Sequence, residues 1–163
     1  MTHHAIQDDY PDDVAHCYGC GSLNEKGLHI KSRREGDDVV CRFIPRPEHT
    51  AFPGFVYGGL IASLVDCHAM GTAAAEWMRA RGVETGSQPT ERFVTGTLTV
   101  KYLHPTPMGG ELEVRARATR IGERKVTVEA EVIADGAVCA TGQVVAVRMP
   151  DELLEATRRG GKA

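Results

Sequence analysis

The sequence predicts an α+β fold in which an antiparallel β-sheet wraps around one long central α-helix. Three observations point there. One stretch, Gly59 to Arg81, is apolar enough and long enough to be a helix. Four later stretches alternate apolar and polar residues between turn signals, and two shorter ones precede the helix. Strands that follow one another through tight turns pair antiparallel, and a half-apolar sheet needs a second layer.

The first residues, Met1 to Val14, are acidic and polar and read as a loose arm. Cys17 to Leu28 is glycine-rich and reads as a loop. Leu28 to Ser32 and Val39 to Ile44 are strand candidates around the turn Glu35-Gly36-Asp37-Asp38. Three prolines make Pro45 to Phe55 a loop.

In the helix, Leu60, Ile61, Leu64, Val65, Ala69, Met70, Ala73, Trp77 and Met78 give a wide apolar surface. Arg79 and Arg81 suit its last turn, and Gly82 suits the cap beyond it. One face is expected to cover the sheet. The small residues Ala62, Ser63, Ala69, Gly71, Ala73 and Ala74 are expected to admit a second copy of the chain.

The strands expected next are Val94 to Leu103, Leu112 to Arg120, Lys125 to Ala134 and Val138 to Arg148. Val126, Val128, Ala130 and Val132 alternate with Thr127, Glu129 and Glu131, the pattern of a half-buried strand. Asp151 to Arg159 suits a short terminal helix. The expected division is an arm over 1–15, one domain over 16–150 and a tail over 151–163.

With 163 residues and a formal net charge of −3, the chain suits one domain and carries no strong field for nucleic acid. No apolar run suggests a signal segment at the start, and Leu60 to Ala75 is too short to span a bilayer. Cys17, Cys20, Cys41, Cys67 and Cys139 are odd in number, which reads as reduced thiols and a cytoplasmic location. Cys17-x-x-Cys20 has no second pair to complete a four-ligand metal site, so no metal and no cofactor are expected.

Asp66 is the residue with most to say about chemistry. Its helical neighbours Ala62, Ser63, Ala69 and Met70 are small or apolar, so its carboxylate loses hydration. That makes it either a base poised near neutrality or a structural buried Asp holding an amide or a water. Tyr57-Gly58-Gly59 opens the same helix. The first amides of a helix have no intrahelical acceptor, and glycine lets a carbonyl approach them. Gly58 and Gly59 are therefore either an oxyanion site or a plain turn into the helix.

The run Glu48-His49-Thr50, then Gly54-Phe55-Val56-Tyr57-Gly58-Gly59-Leu60-Ile61-Ala62-Ser63-Leu64-Val65-Asp66, resembles the PaaI-like and THEM-like hotdog-fold acyl-CoA thioesterases. The resemblance extends to Cys17-Tyr18-Gly19-Cys20-Gly21, Gly27-Leu28, Val100-Lys101-Tyr102-Leu103-His104-Pro105 and Ala140-Thr141-Gly142. It implies a hotdog fold and hydrolysis of an acyl-CoA to an acid and CoA, without metal or redox cofactor. It also implies a homodimer, or a dimer of dimers, with sites across the interface. A Ser or Thr seven residues before the strand tyrosine is part of the pattern, and Thr95 stands there relative to Tyr102. On that reading Thr95 of the partner chain helps Asp66 hold water, and Gly58 and Gly59 polarise the carbonyl.

Tyr57 and Tyr102 are then expected at the substrate. The turn with Arg120, Gly122, Arg124 and Lys125 reads either as a solvated hairpin tip or as a contact for CoA phosphates, and the resemblance points to the second. Two positions depart from the family: Tyr57 replaces a histidine, and Ala51 stands where some members have Asn. They keep open a non-catalytic acyl-CoA-binding protein. A hotdog hydratase or dehydratase is the other alternative, but its usual Gly-Asp-x-Asn-Pro-like segment is absent.

Overall fold

A computed structural model describes residues 4–160. Six strands form a single antiparallel sheet in the order β1-β2-β4-β5-β6-β3. They are β1 (Ser32–Glu35), β2 (Asp38–Phe43), β3 (Phe93–Tyr102), β4 (Leu112–Ile121), β5 (Lys125–Ala134) and β6 (Ala137–Arg148). The long helix α1 (Gly58–Arg79) packs across β3 to β6, and a short exposed α2 (Asp151–Gly160) ends the described chain. This is the α+β hotdog arrangement expected from the sequence.

The sheet presents alternate residues to the helix. On β5, Val126, Val128, Ala130 and Val132 are buried, while Lys125, Glu129 and Glu131 are exposed. They meet Leu60, Ile61, Leu64, Val65 and Ala69 of α1 in one core. Gly142 on β6 sets the helix height, because a Cβ there would lie 2.4 Å from Val65 Cγ1. Gly82, with φ +77°, closes the helix end as expected, its amide on Arg79 O and the Val83 amide on Met78 O.

Three expectations are corrected. The N-terminal segment is packed over residues 5–15; Met1 to His3 lie outside the described residues. Ala5, Ile6, Tyr10 and Val14 are buried in 3₁₀ turns, with Asp8 and Asp12 turned outward to solvent. Second, Leu28 to Lys31 is not strand: the chain bends at His29 (φ +54°), and Leu28 and Ile30 bond back to Tyr18 O and Gly19 O. The first strand begins only at Ser32.

The third correction concerns the small-residue face of α1. Ala69, Gly71, Ala73 and Ala74 are covered from within the chain. A Cβ on Gly71 would sit 2.8 Å from the Gln7 amide nitrogen, so the N-terminal segment lies directly against it. Only Gly58, Gly59, Ala62, Ser63 and Asp66 stay half-buried in the first half of the helix.

One buried chain of hydrogen bonds locks this layer. His68 Nε2 meets Val39 O at 3.0 Å, and a carbonyl only accepts, so Nε2 carries the proton. His68 Nδ1 therefore accepts from Ser32 Oγ at 2.8 Å, and Ser32 Oγ accepts from Gln7 Nε2 at 2.9 Å. The Ser32 amide closes the loop onto Gln7 Oε1 at 2.7 Å. In this arrangement the Ser32 hydroxyl and the His68 ring each give one proton to one acceptor, with the imidazole neutral. Burial accordingly depresses the His68 pKa to about 4.

Candidate active site

The loop before α1 is clamped before the helix begins. Val56 N donates to Thr106 O and Tyr57 N to His49 O, both at 2.8 Å. Tyr57 then caps the helix with its carbonyl, which receives the Leu60 and Ile61 amides. The Gly58 and Gly59 amides come before the first intrahelical bond and are left to other acceptors. They sit at the positive end of a 22-residue helix.

Two tyrosines frame this end. Tyr102 Oη donates to Gly58 O at 2.7 Å. The Tyr57 ring folds back over Gly59, where a Cβ would lie 2.4 Å from ring carbons. Both tyrosines are more than half exposed, Tyr57 at 57% and Tyr102 at 54%.

Asp66 follows two turns along the same half-buried stripe, about 10 Å from Gly59 along the axis. Its side chain leans toward the helix start, as all helical Cβ bonds do. Thr95 Oγ1 donates to Asp66 Oδ1 at 2.5 Å. This bond is made within one chain and corrects the expectation that a partner supplies Thr95. A β-bulge explains the reach. Thr95 and Thr97 pair with the consecutive residues Ala146 and Val145, so Gly96 is an extra residue in β3. A Cβ on Gly96 would already stand 3.0 Å from Val147 Cγ2.

Burial raises the Asp66 pKa, the Thr95 hydroxyl pulls it back, and negative charge on the Cys17 sulfur adds to the rise. A carboxylate held at one oxygen by a hydroxyl, with its proton affinity raised, is equipped as a base whose second oxygen stays available. His68 faces the other side of α1 and forms no dyad with Asp66.

The basic turn lies elsewhere on the chain. Gly122 N bonds Lys125 O at 2.8 Å, and Trp77 Nε1 holds Glu123 O at 2.9 Å. Arg120, Arg124 and Lys125 are all exposed. Trp77 is eleven residues after Asp66, about 16 Å along the helix. A depression of about 470 Å³ there is lined by Trp77, Arg81, Arg124 and Arg148, with Arg81 stacked 3.6 Å from the Trp77 ring. The turn therefore does not join Asp66 and the glycines in one cluster. A larger groove, about 850 Å³, lies on the sheet face away from α1 among Thr99, Lys101, Arg115, Arg117, Glu129 and Glu131.

Sequence spacing did not reveal one cluster. Cys67, on α1, brings its sulfur to the Cys17-x-x-Cys20 pair, with all three sulfurs within 4.8 Å of one another. Fifty residues separate Cys17 from Cys67, and no local pattern encodes that contact. Among the described residues, no helix is long and apolar enough to cross a membrane.

A family model described as the thioesterase superfamily matches residues 53–141, which include the glycines, Asp66, Thr95 and Tyr102. A thioesterase superfamily protein from Shewanella loihica PV-4 is 45% identical, with a TM-score of 0.65 over 85% of this chain and 98% of that one. The PaaI protein from the phenylacetic acid degradation operon of E. coli shares the fold at 15% identity, with a TM-score of 0.60 over 76% of this chain and 81% of that one. The acyl-coenzyme A thioesterase THEM4 of Xenopus laevis is 31% identical over 94 residues, 58% of this chain. That match spans 36% of THEM4, so the chain corresponds to about a third of this curated relative. With more than half its length inside the family match and a full-length structural relative in the same group, the chain belongs to the thioesterase superfamily.

Proposed function

We propose that this chain hydrolyses an acyl-CoA thioester to a carboxylic acid and CoA. The observation that carries the reading is Asp66: half-buried, raised in pKa, held by Thr95, and two turns below unclaimed helix amides. The Gly58 and Gly59 amides would take the thioester oxygen as it gains charge. Asp66 Oδ2 would remove a proton from water as that water attacks the carbonyl carbon. Collapse of the tetrahedral intermediate breaks the C–S bond, and the departing thiolate takes up the proton. Direct attack by Asp66 through an anhydride is the rival route. The hydrolysis needs no metal or redox cofactor. The name of THEM4 supports CoA as the thiol.

The working unit in this reading is a homodimer. β3 is an edge strand of ten residues with one side unpaired. Beside it Leu98, Tyr102 and Leu103 are exposed, and so are Phe55 and Tyr57 before the helix. An open strand edge next to apolar surface is what a second copy would cover. One experiment addresses both parts. Thiol release is followed over short, long and aromatic acyl-CoAs, with sedimentation at the assay concentration. Turnover by a dimer is expected, and a monomer that turns nothing over contradicts the proposal. Tight binding without turnover would favour a non-catalytic acyl-CoA-binding role, the reading suggested by the Tyr57 ring lying over Gly59.

The basic turn fits the phosphates of CoA, which the long pantetheine arm carries away from the thioester. Replacing Arg120, Arg124 and Lys125 together by Ala is expected to raise KM several-fold with little change in kcat. The contact is equal in ground and transition states. Added salt should imitate the substitution on the wild type by screening. An unchanged KM assigns the turn to solvent alone.

A further inference from the structure

The loop over residues 15–30 crosses α1 at Cys67 and is built for very close contact. A Cβ on Gly19 would lie 2.2 Å from Cys67 Sγ. A Cβ on Gly21 would lie 2.4 Å from Cys17 N and 2.5 Å from Ala15 O. Glycine at both positions folds the loop so tightly that Cys17 and Cys20 face the helix. Gly21 N closes the turn on Cys17 O at 2.8 Å.

Cys17 and Cys67 sulfurs are 3.8 Å apart. Two sulfurs bound to one tetrahedral zinc ion at ~2.3 Å are separated by ~3.8 Å. Cys20 Sγ lies within 4.8 Å of both. Cys41 and Cys139 show the contrast: each is buried away from this group, as an inert packing thiol would be. Cys17 instead sits on an exposed loop with its sulfur turned to two buried thiols.

We infer that Cys17, Cys20 and Cys67 bind one Zn(II) ion, with water or another small ligand in the fourth position. No His, Asp or Glu atom joins the three sulfurs among the described residues. Each S–H gives up its proton to solvent as its S–Zn bond forms. Three thiolates and one Zn(II) leave a single negative charge. Arg92, stacked 3.7 Å over the Tyr10 ring and close enough to act on Cys20, offsets it. The ion ties the loop to α1 one residue from Asp66. It is a structural tie, and no step of the hydrolysis passes through it.

The test is Co(II) titration of the reduced, metal-free full-length chain. Saturation at one ion per chain is expected, with thiolate-to-cobalt charge-transfer bands and the ligand-field bands of a tetrahedral site. Zn(II) should bleach both. Cys17→Ser should lose about one third of the charge-transfer intensity, one thiolate in three. Cys139→Ser should leave it unchanged. Cys17 is exposed, so its variant decides the matter even where Cys67→Ser fails to fold. Cobalt uptake without thiolate bands, or bands indifferent to Cys17→Ser, overturns the site. So does a reduced chain that takes up no metal and only forms a disulfide in air.

Discussion

Asp66→Asn is expected to lower kcat for thioester hydrolysis by about a hundred- to ten-thousand-fold, the usual worth of general-base assistance. The amide keeps the shape and still accepts from Thr95 Oγ1, so the fold and acyl-CoA binding should survive. Thr95→Ala should cost less, because it removes an orienting hydroxyl and leaves the base. It also carries a second signature. The Thr95 hydroxyl donates to the ionised carboxylate and so lowers the Asp66 pKa against the rise from burial. Without it the pKa moves up, and the acid limb of kcat/KM should move to higher pH in the variant. A fall in rate with an unmoved acid limb would assign Thr95 to packing. Wild-type turnover by a folded Asp66→Asn protein would end the case for the carboxylate.

The second large effect is on stability. His68 is fully buried and neutral, with its pKa depressed from 6.5 to about 4. Between those values the unfolded chain takes up a proton that the folded chain refuses, so acid favours unfolding. The stabilisation tied to the neutral ring is complete above pH 6.5 and is lost as pH falls toward 4. The shift corresponds to about 3 kcal/mol at the limit. His49 adds to the same slope, because burial lowers its pKa as well. Urea unfolding from pH 8 to 4 should show midpoints falling through this window. His68→Gln should be less stable at pH 7.5 and should flatten the profile. An undiminished slope in that variant would place the titration elsewhere.

The sequence displayed β4, β5, β6 and α1 openly, since two-residue alternation and a wide apolar helix face are local signals. Lys125 to Ala134 was legible to the residue for this reason. The N-terminal segment was not. Its apolar residues, Ile6, Tyr10 and Val14, are four apart among acids, and their burial depends on the face of α1 they meet. The start of β1 was hidden because the left-handed backbone at His29 carries no glycine to announce it. Asp66 and the glycine pair could be singled out because each is unusual where it stands. Thr95 among several strand threonines could not, apart from the family resemblance, because a bulge at Gly96 aims it. Cys67 as a companion of Cys17 needed the tertiary fold itself.

The two halves of α1 have different neighbours, and this divides the chain's freedom to change. From Cys67 to Ala75 the helix is sealed all round by its own chain, so a larger or smaller side chain there disturbs packing first. From Gly58 to Asp66 one stripe is only half covered, beside an exposed β3. On the proposed reading, residues that maintain the fold and residues that would meet an acyl group are largely separate populations. On that reading, exchanges at Tyr57 or Tyr102 would change the acyl preference while the sealed half stays as it is. Diversity of substrate among thioesterases of one shape is then what this anatomy leads one to expect.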